Sequence, residues 1–346
     1  MVKKTGTWKS SIAIKINYRS MKIGEINERV LIQHIAQLLP GHEKNIVVGA
    51  GEDDCAVLDI GGEDYLLVTT DMLHRKTDFP SQMSGWQIGW MSVAVNLSDI
   101  ASKGARPLGI LMAMGIPRDT ELDFLESIVK GMNDCARKFN THIIGGDMDS
   151  HDELTMAGTA LGAIKKRLLI QRSGAKTGEI VCVTGNLGTA GAAIISLNND
   201  LPVDQKILKT LFEPEPRINE GIALAGTGAV SSMMDISDGL AMSLHDLSKA
   251  SGVGFKIYEN RLPVLPEIID IFEGDELLEA VVFTGGDFEL LFTLPPDKLE
   301  KVRSACPLTV IGEVIEEGVL IERAGGIEEL KCLGYEHFKE KNQSKR

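Results

Sequence analysis

Six aspartates stand where apolar segments meet small-residue turns. Asp54 closes the GAGEDD loop (49–54), Asp71 ends LLVTTD (66–71), Asp99 ends AVNLSD (94–99), Asp147 ends IIGGD (143–147), and Asp235 and Asp238 share MMDISDGL (233–240). Any one of them has an ordinary explanation as a turn former or helix cap. Together they pose a charge problem, because an isolated carboxylate taken out of water costs several kcal/mol and must be paired. The sequence near them shows few lysines or arginines, so the expected partners are metal ions. Hard oxygen donors without accompanying Cys or His suit Mg²⁺. Thr69 and Thr70 add oxygen donors beside Asp71, and Ser237 lies between Asp235 and Asp238, whose spacing of three would put both on one side of a helical turn.

Glycine-rich turns form a second set: 49–51, Gly145-Gly146, the GxxGxxG run from Gly185 to Gly191, and Gly285-Gly286. Such turns let backbone N–H groups approach phosphate oxygens, with a following helix N-terminus adding to the attraction. None is a Walker A loop, and the GxxGxxG run is open to phosphate contact or to close strand-to-helix packing. Arg172 and Arg217 stand alone in turns, where each suits an anion clamp or a solvated surface. There is no HExxH pair and no GxSxG elbow, against zinc and serine hydrolases.

These residues need a scaffold, and the periodicities supply one. Helices are predicted at Asn27 to Leu39, Trp86 to Ala101 and Glu121 to Lys138, with Ser92, Asn96 and Asp99 on the face of the second helix away from its apolar stripe. Strands are predicted at Ala56 to Ile60 and Tyr65 to Thr70 as a hairpin, then at Leu108 to Met114, Thr141 to Ile144 and Leu154 to Ile164. After a basic, polar stretch from Lys165 to Gly178 come strands at Glu179 to Thr184, Phe255 to Tyr258, Leu290 to Leu294 and Leu308 to Ile311. Hairpins mixed with crossovers favour an α+β, mixed-sheet architecture. The 346 residues suggest two domains, 21–168 and 169–346, behind a basic arm at 1–20 that is expected to be disordered or an upstream extension.

Composition narrows the function. With 36 Lys and Arg against 49 Asp and Glu, the net charge is −13, which excludes a general nucleic-acid binder. No apolar run is long enough to span a membrane, and the basic opening lacks a secretion signal's apolar stretch. Five cysteines without a CxxC pair point to reduced thiols and a cytoplasmic protein. Cys55, beside three acids, reads as structural. The residues alone lead to an acidic phosphate site using several Mg²⁺ ions.

The ordered motifs GEDDCAVL (51–58), VTTDML (68–73), AVNLSDIASKGARP (94–107), IIGGD (143–147), RSGAKTGE (172–179), VTGNLGTAG (183–191), MDISDGL (234–240), GGDFELLF (285–292) and GYEHF (334–338) closely resemble those of the thiamine-monophosphate kinases. That family belongs to a superfamily with aminoimidazole ribonucleotide synthetase and selenophosphate synthetase. The resemblance, running from Gly24 to Phe338, implies an N-terminal mixed-sheet domain contributing to a dimer barrel, a C-terminal α+β domain, and a cytoplasmic homodimer that uses ATP and Mg²⁺ to phosphorylate thiamine monophosphate. It implies Asp54, Thr69, Thr70, Asp71, Asp99, Asp147, Asp235 and Asp238 as Mg²⁺ ligands, with Asp71, Asp99 and Asp238 at the reacting centre. Gly146, Asp147, Arg172 and Ser237 would contact ATP and its metals, and Tyr335 the thiamine moiety. Where the family reads GGEDYEL, this chain has Gly286 in place of the first Glu, with Asp287 and Glu289 alongside. A family His-Phe pair is Asp78-Phe79 here, so Asp78 and Asp287 join the acceptor side. The competing readings are another ATP-using member of the superfamily that releases ADP and phosphate, and a non-catalytic nucleotide- or metal-binding regulator.

Overall fold

The structure, a computed structural model, describes residues 22–39 and 43–338; the basic arm at 1–20 lies outside them. The described residues form two compact units, one of 22–39 with 336–338, the other of 43–335. In the smaller unit, helix α1 (Glu28–Leu38) is capped by Asn27, whose side chain accepts from the Arg29 and Val30 N–H groups. The His337 N–H donates to Glu28, 2.8 Å away.

The larger unit is a mixed α/β structure with two sheets. A six-stranded sheet is built from β1 (Ile46–Val48), β2 (Ala56–Leu58), β3 (Asp64–His74), β4 (Arg106–Ile116), β5 (Ile143–Ser150) and β6 (Thr155–Lys165) in the order β1-β2-β3-β6-β4-β5. Only β4 and β5 run parallel. The predicted hairpin is there as β2 and β3, but β3 continues to His74 because it pairs with β6 along its whole length. Asp71 is therefore inside a strand, not at its end. The strand predicted to stop at Ile144 instead runs through Gly145, Gly146 and Asp147, carried by pairing with β4 despite the poor strand propensity of those residues.

One face of this sheet is covered by α2 (Gly85–Ser102) and α3 (Leu122–Lys138). Helix α2 starts with a capping box between Ser84 and Gln87 and is buried along nearly its whole length. Helix α3 is amphipathic, burying Ile128, Gly131, Met132, Cys135 and Ala136. The two cross closely: a Cβ on Gly89 would sit 1.9 Å from the Ile128 carbonyl oxygen, and one on Gly131 would sit 1.9 Å from that of Trp86. No larger residue fits either position.

The second sheet has seven strands: β7 (Ile180–Val183), β8 (Ser232–Asp235), β9 (Gly254–Tyr258), β10 (Leu290–Leu294), β11 (Thr309–Ile315), β12 (Val319–Arg323) and β13 (Gly326–Glu329), ordered β13-β12-β9-β11-β7-β10-β8. Helices α4 (Thr189–Asn198), α5 (Gln205–Phe212), α6 (Ile218–Thr227) and α7 (Leu240–Ser251) complete the main elements. Alternate residues of its central strands enter two different apolar clusters, Cys182, Leu290 and Phe292 on one side and Val181, Val183 and Leu291 on the other. Both faces of this sheet are thus buried.

Candidate active site

The polar residues of α2 do not face solvent. Asn96 is fully buried against β6, accepts from the Asp71 N–H at 3.1 Å and donates to the Ser92 carbonyl at 3.0 Å. This fixes Asp71 beside the helix that carries Asp99. Thr69, on β3, donates to an Asp99 carboxylate oxygen and contacts the Asp54 carbonyl at 3.1 Å. From the second sheet, Asp235 at the end of β8 accepts from Ser98 of α2 at 2.6 Å. One carboxylate oxygen from each of Asp54, Asp99 and Asp235 lies within 4.8 Å of the others.

Two cations sit against this cluster. Lys103, at the C-terminal end of α2, has no exposed side-chain surface and reaches Asp53 and, at 2.8 Å, Asp54. Arg172 donates Nε to Asp54 at 2.7 Å and its backbone N–H to Asp53 at 2.8 Å. Ser102 adds a 2.7 Å bond to Asp54. The paucity of basic residues around the aspartates, read from sequence, is therefore corrected: Lys103 is brought in at the end of α2, the helix that carries Asp99, and Arg172 from a distant loop. Lys103, Asp53, Ser98 and Ser102 are site residues that the motif reading missed. The available signal was a lysine ending an otherwise buried helix.

The carboxyls respond accordingly. Burial would raise Asp54, but Arg172 and Lys103 outweigh it and hold the group at about 2. Asp99 is pushed well above the usual range by burial and then by Asp71, Asp235 and Asp54. Burial, with Asp54 adding repulsion, raises Asp235 to about 7. Cys55 is buried next to them, and burial with the Asp99 charge pushes its thiol up, in keeping with a structural role. The cluster offers only oxygen donors, and its Asp99 and Asp235 side crowds carboxyl groups whose direct side-chain partners are the hydroxyls of Thr69 and Ser98. It fits a hard divalent cation such as Mg²⁺.

Other predicted residues form a second group. The β8–α7 loop is not a helical turn: β8 ends at Asp235, α7 begins at Leu240, and Ser237 and Asp238 lie in the connection between them. Its backbone is bonded to the 285–289 loop, with Gly286 N–H to Ser237 O at 2.8 Å and Phe288 N–H to Ile236 O at 2.9 Å, while Tyr335 N–H meets Asp238 O at 3.0 Å. Gly286 holds φ at +100°, a conformation that a glutamate would adopt only with strain. Asp287 caps α4, accepting from Gly188 and Ala190 N–H at 2.7 and 3.1 Å, and burial raises it to about 7. The GxxGxxG turn is thus occupied by a protein carboxylate. Glu289 is buried and held by Arg217 and Thr184, so Arg217 is tied down rather than solvated.

Four predicted residues lie apart or serve local bonds. Asp78 closes the turn after β3, accepting from His74 N–H and Thr77 Oγ1, both at 2.7 Å. Thr70 donates to the Gly158 carbonyl at 2.7 Å. Register aligns Asp71 with Gly158, Met112 and Gly146 across β3, β6, β4 and β5, which places Gly146 about 14 Å from Asp71 at three strand spacings. Asp147 pairs with Ala113 and, through it, with Ala157 and Met72, so it projects from the sheet face opposite to Asp71.

Comparison with known proteins gives the arrangement a lineage. Residues 52–164 match the N-terminal domain, and 176–324 the C-terminal domain, of AIR synthase related proteins. A thiamine-monophosphate kinase of Methanospirillum hungatei is 45% identical over 285 residues, covering 82% of this chain and 92% of that protein. One from Pyrococcus abyssi is 36% identical over 287 residues, covering 83% and 90%. The structure of AaThiL complexed with AMPPCP and TMP superposes with a TM-score of 0.81 at 26% identity, covering 92% of this chain and 99% of that one. The chain belongs to the AIR synthase related family and, within it, to the thiamine-monophosphate kinases.

Proposed function

We propose that this protein transfers the γ-phosphoryl group of ATP to thiamine monophosphate, giving thiamine diphosphate and ADP. The observation that carries the reading is the convergence of Asp54, Asp99 and Asp235 from three separate elements in a chain 45% identical to a thiamine-monophosphate kinase. The acceptor is a phosphate monoester, largely ionised at neutral pH, so it needs no side-chain base to become a nucleophile. The difficulty is repulsion between two anionic substrates in an acidic site. Bound Mg²⁺ supplies charge neutralisation and alignment of the in-line transfer. Asp54, Asp71, Asp99 and Asp235 are its proposed holders, with Thr69 and Asp238 completing the donor set; Thr70 and Asp147, expected there from the sequence, are on the other face of the six-stranded sheet. Arg172 is proposed to turn from Asp54 toward the nucleotide, with Gly146 and Ser237 beside it. Tyr335, packed by its backbone against Asp238, belongs to the acceptor side with Asp78 and Asp287. Transfer is direct, without a phosphoenzyme, and residues up to 168 and from 169 onward each contribute one half of the site.

The proposed assembly is a homodimer in the cytoplasm. On the six-stranded sheet, the face away from α2 and α3 leaves Met72, Leu111 and Ile144 exposed by 56%, 40% and 56%, an apolar surface suited to a second copy. The free cysteines agree with a reducing compartment, and no described helix is long and apolar enough to cross a membrane.

Purified protein given ATP, Mg²⁺ and thiamine monophosphate should form one thiamine diphosphate per ADP. Free phosphate in its place would move the assignment to the ADP-and-phosphate chemistry of the wider superfamily. Light scattering should give a dimer mass, and Leu111→Lys should reduce it to a monomer.

A further inference from the structure

Lys103 Nζ is enclosed by Asp53 Oδ1, Asp54 Oδ2 at 2.8 Å and the Met233 carbonyl oxygen at 2.9 Å, with no solvent exposure. All three ammonium donors are used. Three places in the chain meet here: the 49–54 loop supplies the two carboxylates, β8 supplies the carbonyl, and the end of α2 delivers the lysine. Two carboxylates and a peptide carbonyl, all hard oxygens and all dry, form a donor set of the kind that divalent cations take. A lysine ammonium is the compact point charge able to stand in that place. We infer that Lys103 is a built-in counter-ion, a positioning residue that fills one cation place in the carboxylate cluster and reduces by one the number of divalent ions the chain takes up. It rests on the reading of the cluster as a metal site. By its three contacts it also locks Asp54 onto the end of β8, next to Asp235.

The inference is tested on the full chain with Mn²⁺ as the only added ligand, using Lys103→Met, which keeps length but not charge, and Lys103→Arg, which keeps charge. Bound Mn²⁺ is counted from the loss of the free-ion electron paramagnetic resonance signal, and thermal unfolding is followed with and without the ion. Lys103→Met should bind one Mn²⁺ per chain more than the wild type, and millimolar Mn²⁺ should raise its Tm by more than it raises the wild type's. Lys103→Arg should keep the wild-type count. Equal counts and equal Tm shifts in Lys103→Met and the wild type would overturn the inference, as would a Lys103→Met chain that stays unfolded in millimolar Mn²⁺. A wild type that makes no thiamine diphosphate, beside a Lys103→Met variant that still gains an ion, would end the kinase reading and leave the counter-ion standing.

Discussion

Around Asp54 the protein supplies its own cations, Lys103 and Arg172; around Asp99 and Asp235 its direct contacts are hydroxyls, from Thr69 and Ser98. A cation cancels charge, whereas a hydroxyl only solvates it. Within one cluster, Asp54 is consequently held at about 2 while Asp235 rises to about 7. Without an ion the Asp54 charge is already balanced by the protein's own cations, whereas the Asp99 and Asp235 side is where an exchangeable cation is needed. Structural and catalytic demands on like residues are thus divided by what stands next to each.

The same chemical change on the two sides should separate them. Asp54→Asn leaves Lys103 and Arg172 facing a neutral amide in a buried site, and the loss of one partner from such a pair costs about 3–5 kcal/mol. Its urea midpoint, measured without metal, should fall steeply. Asp99→Asn removes a group that burial, and after it the neighbouring carboxylates, already drive toward the neutral form, so its midpoint should not fall. Equal destabilisation of both variants would break the comparison.

Turnover should rank them differently. Asp99→Asn deletes a donor from the side where the exchangeable cation belongs, and kcat should drop by at least about a hundredfold, roughly 2.7 kcal/mol. A folded Asp99→Asn protein with more than a tenth of wild-type kcat would remove Asp99 from the reacting centre.

The positions of individual residues account for what was readable from sequence. Helices α2 and α3 were legible because their apolar residues recur at helical spacing. The hairpin of β2 and β3 was legible from Gly61-Gly62. Asp54, Asp99 and Asp235 were chosen as a charge problem, and they do converge. What failed was long-range. Lys103 meets Met233 across 130 residues of chain and Arg172 meets Asp54 across 118, and no local pattern reports such pairs. The continuation of β3 and β5 past their glycines and aspartates also depended on neighbours, since pairing along a sheet overrides intrinsic preference. Asp287 in the GxxGxxG turn is the third case: the turn looked ready for phosphate, but a carboxylate about a hundred residues later fills it.

The smallest effect concerns a hydroxyl, and it probes the same contrast from the other side. Ser98 and Asp235 are both buried, and their 2.6 Å bond is the direct side-chain contact given to the Asp235 carboxylate. A hydrogen bond to a charged group is worth about 1.5 kcal/mol at the low end. Ser98 lies inside α2, where alanine is the better helix former by about 0.5 kcal/mol. Ser98→Ala should therefore lose about 1 kcal/mol net, read as a lower urea midpoint in metal-free buffer. Added Mn²⁺ should recover most of that loss, because a cation beside Asp235 compensates its charge better than the hydroxyl did. No such recovery is expected for Asp54→Asn, where the missing group is the acid itself. If Mn²⁺ left the Ser98→Ala midpoint unmoved while binding to the protein, the exchangeable cation would not be sitting at Asp235, and the division of the cluster into a finished side and an open side would have to be drawn elsewhere.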